Sequence, residues 1–191
     1  GRANKIAPRI EVAVYANRPP KIRIASPRGD QQVSPLEEID FAAELEDDFG
    51  LGRYGFTFNV NGGEMTDVPL GQNAPGHTKM LAAHLLALET LAVEPDQLIN
   101  WFFWAEDIGP DGKTRRAYSD MYFAEIRPFE EIFRQGQGQS AQQQRRQQQQ
   151  NKSPNQKTQE LIKLQKQIIN ATWKLRRQPA TLAADAPVIL Q

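Results

Sequence analysis

Along the first two thirds of the chain, apolar and polar side chains alternate with a period of two, the pattern of half-buried β-strands. Residues 37–46 show it most cleanly. Ile39, Phe41, Ala43 and Leu45 fall on one face, and Glu38, Asp40, Glu44 and Glu46 on the other. Residues 53–61 repeat it, with Tyr54, Phe56, Phe58 and Val60 inward against Arg53, Thr57, Asn59 and Asn61. In KIRIA (21–25), Ile22 and Ile24 point inward. IEVAVY (10–15) also alternates, but ANRPP (16–20) ends it, and a double proline reads as a stiff linker. That segment is expected to be the last strand of a preceding domain or an edge strand of the same sheet.

The stretch LINWFFWAEDIGPD (98–111) departs from simple alternation because both of its faces are apolar. Ile99, Trp101, Phe103 and Ala105 point one way, Phe102 and Trp104 the other. A strand of this kind must be central and covered on both sides. Residues 117–126 are read as the strand that returns from it. Residues 80–91 (MLAAHLLALETL) contain good helix formers, yet they lie between strands and precede the turn-like Glu94-Pro95-Asp96. They are read as a strand ending in a short helical turn. Turn signals separate these segments at SPRGD (26–30), Asp47-Asp48-Phe49-Gly50, Asn61-Gly62-Gly63 and DIGPDGK (107–113), and GQNAPG (71–76) is read as loop. Short strands at regular spacing predict a mainly β fold, an immunoglobulin- or fibronectin-III-like antiparallel sandwich over residues 19–128.

Beyond Pro128 the pattern changes. Residues 135–150 hold ten glutamines with Gly and two Arg, so 129–157 is expected to be a Gln-rich linker, disordered or frayed helix. Residues 158–178 then turn helical in period. Leu161, Leu164, Ile168, Ala171 and Leu175 follow the alternating three- and four-residue spacing of a coiled-coil seam. Ile162 and Ile169 widen the stripe and Trp173 flanks it. An isolated helix this short is marginal in water, so the stripe needs a partner: the sandwich, a copy of itself or a further part of the chain. Residues 1–18 complete the organisation as linker and 179–191 as tail.

Composition narrows the chemistry. The chain has 191 residues, no cysteine and a formal net charge of zero, which excludes a disulfide scaffold and any Cys-ligated metal. No run of 18 apolar residues and no signal-peptide pattern is present. The first residue is Gly rather than Met, and a fragment or processed product is expected. The neutral total conceals segregation, because residues 1–34 carry +5, residues 35–111 carry −13 and residues 112–191 carry +8. An acidic body with a basic tail suggests docking of the tail on the body, on another subunit or on an anionic surface, against the alternative of ordinary solvated faces.

Catalytic constellations are missing from the sequence. Only His77 and His84 exist, without a nucleophile elbow, a Gly-rich phosphate loop, HExxH or Cys/His metal spacing, and the expectation is a non-enzyme. Arg28-Gly29-Asp30 is explained by turn chemistry. If the loops after the second and penultimate sandwich strands share one end, Asp47, Asp48, Glu106, Asp107 and Asp111 crowd one pole. Clustered carboxylates repel unless neutralised, and oxygen ligands suit Ca²⁺. Asp47, Asp48, Asp107 and Asp111 are therefore candidate calcium ligands, with bonding inside their own turns, docking of a basic group and glycan binding as alternatives. No other cofactor and no nucleic acid is expected. Phe102 and Trp104 form an outward apolar pair of the kind that marks a contact surface. Together with Leu161, Leu164, Ile168 and Leu175 they are the candidate partner-binding residues, for self-association or for a neighbouring domain.

Three blocks carry a family resemblance: SPLEEIDFAAELEDDFGL (34–51), FWAEDIGPDGKTRRAYSDMYFAEIRPFEEIFRQG (103–136) and LQKQIINATWKL (164–175). They resemble a family of large, uncharacterised bacterial envelope proteins built around a domain of unknown function, over most of residues 18–177. The resemblance implies a membrane-anchored parent with N-terminal transmembrane helices, tandem immunoglobulin-like extracytoplasmic domains and Gln-rich coiled-coil segments. It brings no catalytic or ligand residues with it. This chain differs in lacking the transmembrane part. The function these readings predict is a structural or interaction module of the cell envelope, with the sandwich as spacer or docking unit and the helix as assembly element. The alternative is a calcium- or glycan-binding module using the acidic pole.

Overall fold

A computed structural model describes residues 13–128 and 154–177, with side chains of the final helix from Glu160 onward. Among the described residues, nine strands form two sheets and one α-helix follows them. β1 (Lys21–Ser26), β3 (Glu38–Glu46) and β6 (Met80–Ala87) make a three-stranded antiparallel sheet in the order β1-β3-β6. The second sheet runs β2 (Gln31–Val33), β9 (Tyr122–Ile126), β7 (Leu98–Ile108), β4 (Gly50–Val60), β5 (Thr66–Pro75). β8 (Thr114–Tyr118) also pairs with β7, and β2 is parallel to β9 while the other pairings are antiparallel.

Alternation decides what lies between the sheets. Ile39, Phe41, Ala43 and Leu45 of β3 meet Tyr54, Phe56 and Phe58 of β4 and Ile99, Trp101, Phe103 and Ala105 of β7 in one buried core. The Phe41 ring lies 4.7 Å from both Phe56 and Trp101 across the interface. Register explains the fit, because Phe56 pairs with Phe103, Phe58 with Trp101 and Val60 with Ile99. The inward rings of neighbouring strands therefore stand side by side. Residues 80–91 resolve as β6 followed by a 3₁₀ turn, Leu88–Leu91. Ala82 and Leu86 bury, Leu81 and Leu85 stay exposed, and the period of two overrides helix propensity.

Four expectations need correction. The first is residues 71–75, read as loop, which belong to β5. Among the described residues β5 pairs only with β4, so Pro69, Gly71 and Pro75 are tolerated on a sheet edge, where a central strand would not allow them. The second is the single returning strand, which is two. β8 pairs with the distal half of β7, and β9 with its first half, after a break at Ser119–Met121. Ser119 stitches that break, its N–H donating to Phe103 O (2.8 Å) and its Oγ accepting from Phe103 N (3.0 Å). The third is an omission, β2, for which no element was expected because three residues are too few to show a pattern. The fourth is residues 10–15. Residues 10–12 lie outside the described residues, and residues 13–15 are in no strand, with Val14 and Tyr15 exposed. The expected Gln-rich linker and tail likewise lie outside the described residues, apart from residues 154–157, which begin the helix.

Helix α1 (Pro154–Arg177) is longer than its periodic stretch. No helix among the described residues is long and apolar enough to cross a membrane.

Candidate interaction sites

The outward face of β7 carries Phe102 and Trp104, and both are buried, at 5% and 4% exposure. Helix α1 covers Phe102, and Arg116 of β8 covers Trp104. Trp173 packs on Phe102 with ring centroids 4.3 Å apart, and Tyr118 of β8 meets both rings edge-on, at 5.8 Å and 5.4 Å. Met121 and Ile169 complete the cluster. Trp173 Nε1–H donates to Ser119 O (3.3 Å), so the indole gains a polar anchor as well as apolar contact. One helical turn or more away, Ile162 joins Leu98 and Phe123 in a second contact.

Ion pairs frame this seam. Lys166 Nζ lies 3.5 Å from Asp30 and 3.6 Å from Glu125, over the ring of Phe123. Glu125 also pairs with Arg127. Arg177 bonds Asp120 at 2.7 Å. The segregated charge is thus used in part within the chain: basic residues of α1 meet acidic residues of the sandwich. Beside them Arg116 stacks 4.0 Å over Trp104 and donates to Glu106 (2.9 and 2.7 Å), which also accepts from Arg53 Nε (2.9 Å). Burial pushes the Glu106 carboxyl up, but hydrogen bonds from Arg53 and Arg116 outweigh it and hold the carboxyl below its usual range.

The heptad seam does something different. Of the partners open to it, the sandwich takes the flank Ile162, Ile169 and Trp173 and leaves the seam out. Leu161, Leu164, Ile168 and Leu175 are 54–69% exposed. The sequence placed all of these residues on a helix, but could not show which stripe faces the sheet.

The acidic pole is a second, smaller feature. Asp47 and Asp48 do converge with Asp107, since Asp107 and Asp48 both press on the Asp47 carboxyl. Glu106, the other acid expected there, is taken up by Arg53 and Arg116 instead. Burial, then Asp107 and Asp48, raise the Asp47 carboxyl above its ordinary range, in spite of a hydrogen bond from Phe49 N. Arg115, missed by sequence reasoning, is the counter-ion. It grips Asp107 through Nε (3.0 Å) and through a second, shorter bond, and its Nη2 reaches Asn17 (2.8 Å). No sequence signal set it apart from Arg116 beside it. Arg18 N donates to Asp48 (3.2 Å). Asp111 does not join; it sits at the hairpin tip, accepts from Lys113 N (3.2 Å) and faces Lys113 Nζ at 4.0 Å. Asp47 Oδ1 and Asp48 Oδ1 are buried without a hydrogen-bond partner among the described residues. Among the described residues no group of three or more His, Asp or Glu is arranged to hold a metal ion.

No family model matches the chain, and no curated sequence is similar to it. Among solved structures it has weak likenesses to Spo0M, a sporulation control protein from Bacillus subtilis, and to a Niemann-Pick type C2 protein from Japanese carpenter ant. The first is 8% identical with a TM-score of 0.33, over 59% of this chain and 50% of that one. The second is 9% identical with a TM-score of 0.30, over 59% of this chain and 92% of that one. The chain therefore spans half the length of the sporulation protein, and likenesses this distant carry no argument about activity.

Proposed function

We propose that this chain is a non-enzymatic interaction module of a membrane-anchored cell-envelope protein. In it, an immunoglobulin-like sandwich docks its own C-terminal helix, and that helix is the assembly element. Strand order supports the immunoglobulin-like part. β1-β3-β6 follows the order A-B-E, and β9-β7-β4 follows G-F-C with β5 in the C′ place. The chain departs from antibody domains in having no cysteine and in carrying the core tryptophan, Trp101, on β7 instead of β4. Envelope placement and the membrane anchor rest on the sequence resemblance.

The observation that carries the assembly role is the two-sided helix. One flank packs on Phe102, in the cluster that also holds Trp104, while the other leaves four large aliphatic side chains exposed along one line. Scattered exposed leucines are ordinary, but a contiguous row marks a contact surface. The test is sedimentation of the intact chain against Leu164→Glu/Ile168→Glu, up to about 1 mM, where a contact worth about 4 kcal/mol is half occupied. Concentration-dependent mass in the intact chain, lost in the variant with an unchanged unfolding temperature, is the expected result. A monomer at every concentration overturns the assembly reading.

One observation favours a second reading, a calcium site at the acidic pole: the unpartnered, buried Oδ1 atoms of adjacent Asp47 and Asp48. Thermal unfolding in excess chelator and then in millimolar Ca²⁺ separates the two. Occupancy at about 100 times the dissociation constant adds about 2.7 kcal/mol, whereas no shift leaves these residues as turn and ion-pair groups.

A further inference from the structure

We infer that the exposed seam of α1 is occupied by the same seam of a second copy of this chain, running antiparallel. The inference rests on the assembly reading and adds partner, direction and register to it. At 100° per residue, the docked residues Ile162, Lys166, Ile169 and Trp173 centre roughly 150° around the helix from Leu161, Leu164, Ile168, Ala171 and Leu175. A helix that binds through the seam can therefore do so with both sandwiches on the outside.

Charge selects the direction. Residues that flank a coiled-coil seam set orientation and partner choice. With Leu161 and Ile168 at the first core position of each heptad, the flanking positions hold Glu160, Gln167 and Lys174 on one side and Gln165 and Thr172 on the other. A parallel pair sets Glu160 against Gln165 and Gln167 against Thr172, with no charge matched. In an antiparallel pair, residues on the first side meet their own kind. Stacking Leu164 on the copy's Ile168, and Leu161 on the copy's Ala171, then brings Glu160 to the copy's Lys174. Two-fold symmetry makes the pair twice. Glu160 and Lys174 are both exposed and available at that edge. The small Ala171 opposite Leu161 lets large and small side chains interdigitate.

The experiment is sedimentation equilibrium on the full chain as Glu160→Lys, Lys174→Glu and the double variant. Both positions of the test are exposed to solvent. Each single variant turns two attractive pairs into two repulsive ones and is expected to weaken the dimer about 5-fold. The double variant restores the pairs in reversed sense and should return to within about 2-fold of the parent. As a second readout, Thr172→Cys is a unique thiol for a spin label in this cysteine-free chain. In the antiparallel register the two labels are offset by about 18 Å along the axis, twelve residues at 1.5 Å each. Dimers insensitive to charge reversal, or labels side by side, overturn the antiparallel inference and leave the assembly reading standing. Monomers throughout overturn both.

Discussion

The indole of Trp104 fills the space in which a side chain at Gly55 would stand. A Cβ placed on Gly55 lies 2.6 Å from Trp104 Cζ2 and 2.5 Å from Val68 O. Gly55 pairs with Trp104 across β4 and β7, and the register of β5 on β4 shifts at that point. The large ring and the missing side chain are one device. They let an indole sit close on the sheet so that Arg116 and α1 can close over the same face.

Gly55→Ala is accordingly expected to destabilise the chain by about 1–3 kcal/mol, the cost of overpacking a site with no room. Glycine in a strand is ordinarily a liability, so an exposed strand position would gain from alanine instead. Chemical denaturation of the two proteins checks the sign. Trp104→Glu on the same face is expected to cost about 3 kcal/mol or more, since it empties the buried indole site, and Arg116, the cation stacked on that site, is already paired with Glu106.

Trp173→Ala should separate docking from folding. Trp173 contacts Phe102 and Tyr118 but is not part of the core between the sheets. The expected outcome is a sandwich that still unfolds cooperatively, with protease cutting within residues 154–177 that the parent resists. Loss of the whole fold would place α1 inside the cooperative unit, contrary to the satellite cluster it forms.

Asp47→Asn tests the acidic pole through pH. The Asp47 carboxyl is raised in the folded chain by burial and by its acidic neighbours, so the folded state holds the proton more tightly than the unfolded one. Its contribution is favourable below the unfolded value of 3.8 and is lost as pH rises through the folded value. At pH 7 the carboxylate is a burden, and Asp47→Asn should unfold at higher temperature than the parent. That advantage should shrink as pH falls towards 3.8. A constant difference across the range would assign the effect to packing.

Glu106→Gln has the opposite sign. Its carboxyl is held low by Arg53 and Arg116 despite burial, so it stabilises above the unfolded value of 4.5 and loses that effect as pH falls through the folded value. The variant is expected to lose about 2 kcal/mol at pH 7, the scale of hydrogen bonds to a charged group. The deficit should narrow in acid.

The faces of the strands were legible along the chain. Period-two alternation in β3 and β4 named the core residues, and the two apolar faces of β7 required cover on both sides, because side-chain direction in a strand is a local consequence of backbone geometry. It also placed β6 correctly against its helix propensity. Which surfaces meet is set by the folded arrangement. That α1 turns Trp173 and Ile169 to Phe102 and shows Leu164 and Ile168 to solvent depends on a docking between elements more than fifty residues apart. Arg115 as the partner of Asp107, β5 as an edge strand and Ser119 as the stitch at the break in the hairpin have the same origin. Each is a pairing across space, and periodicity along the chain holds no record of it.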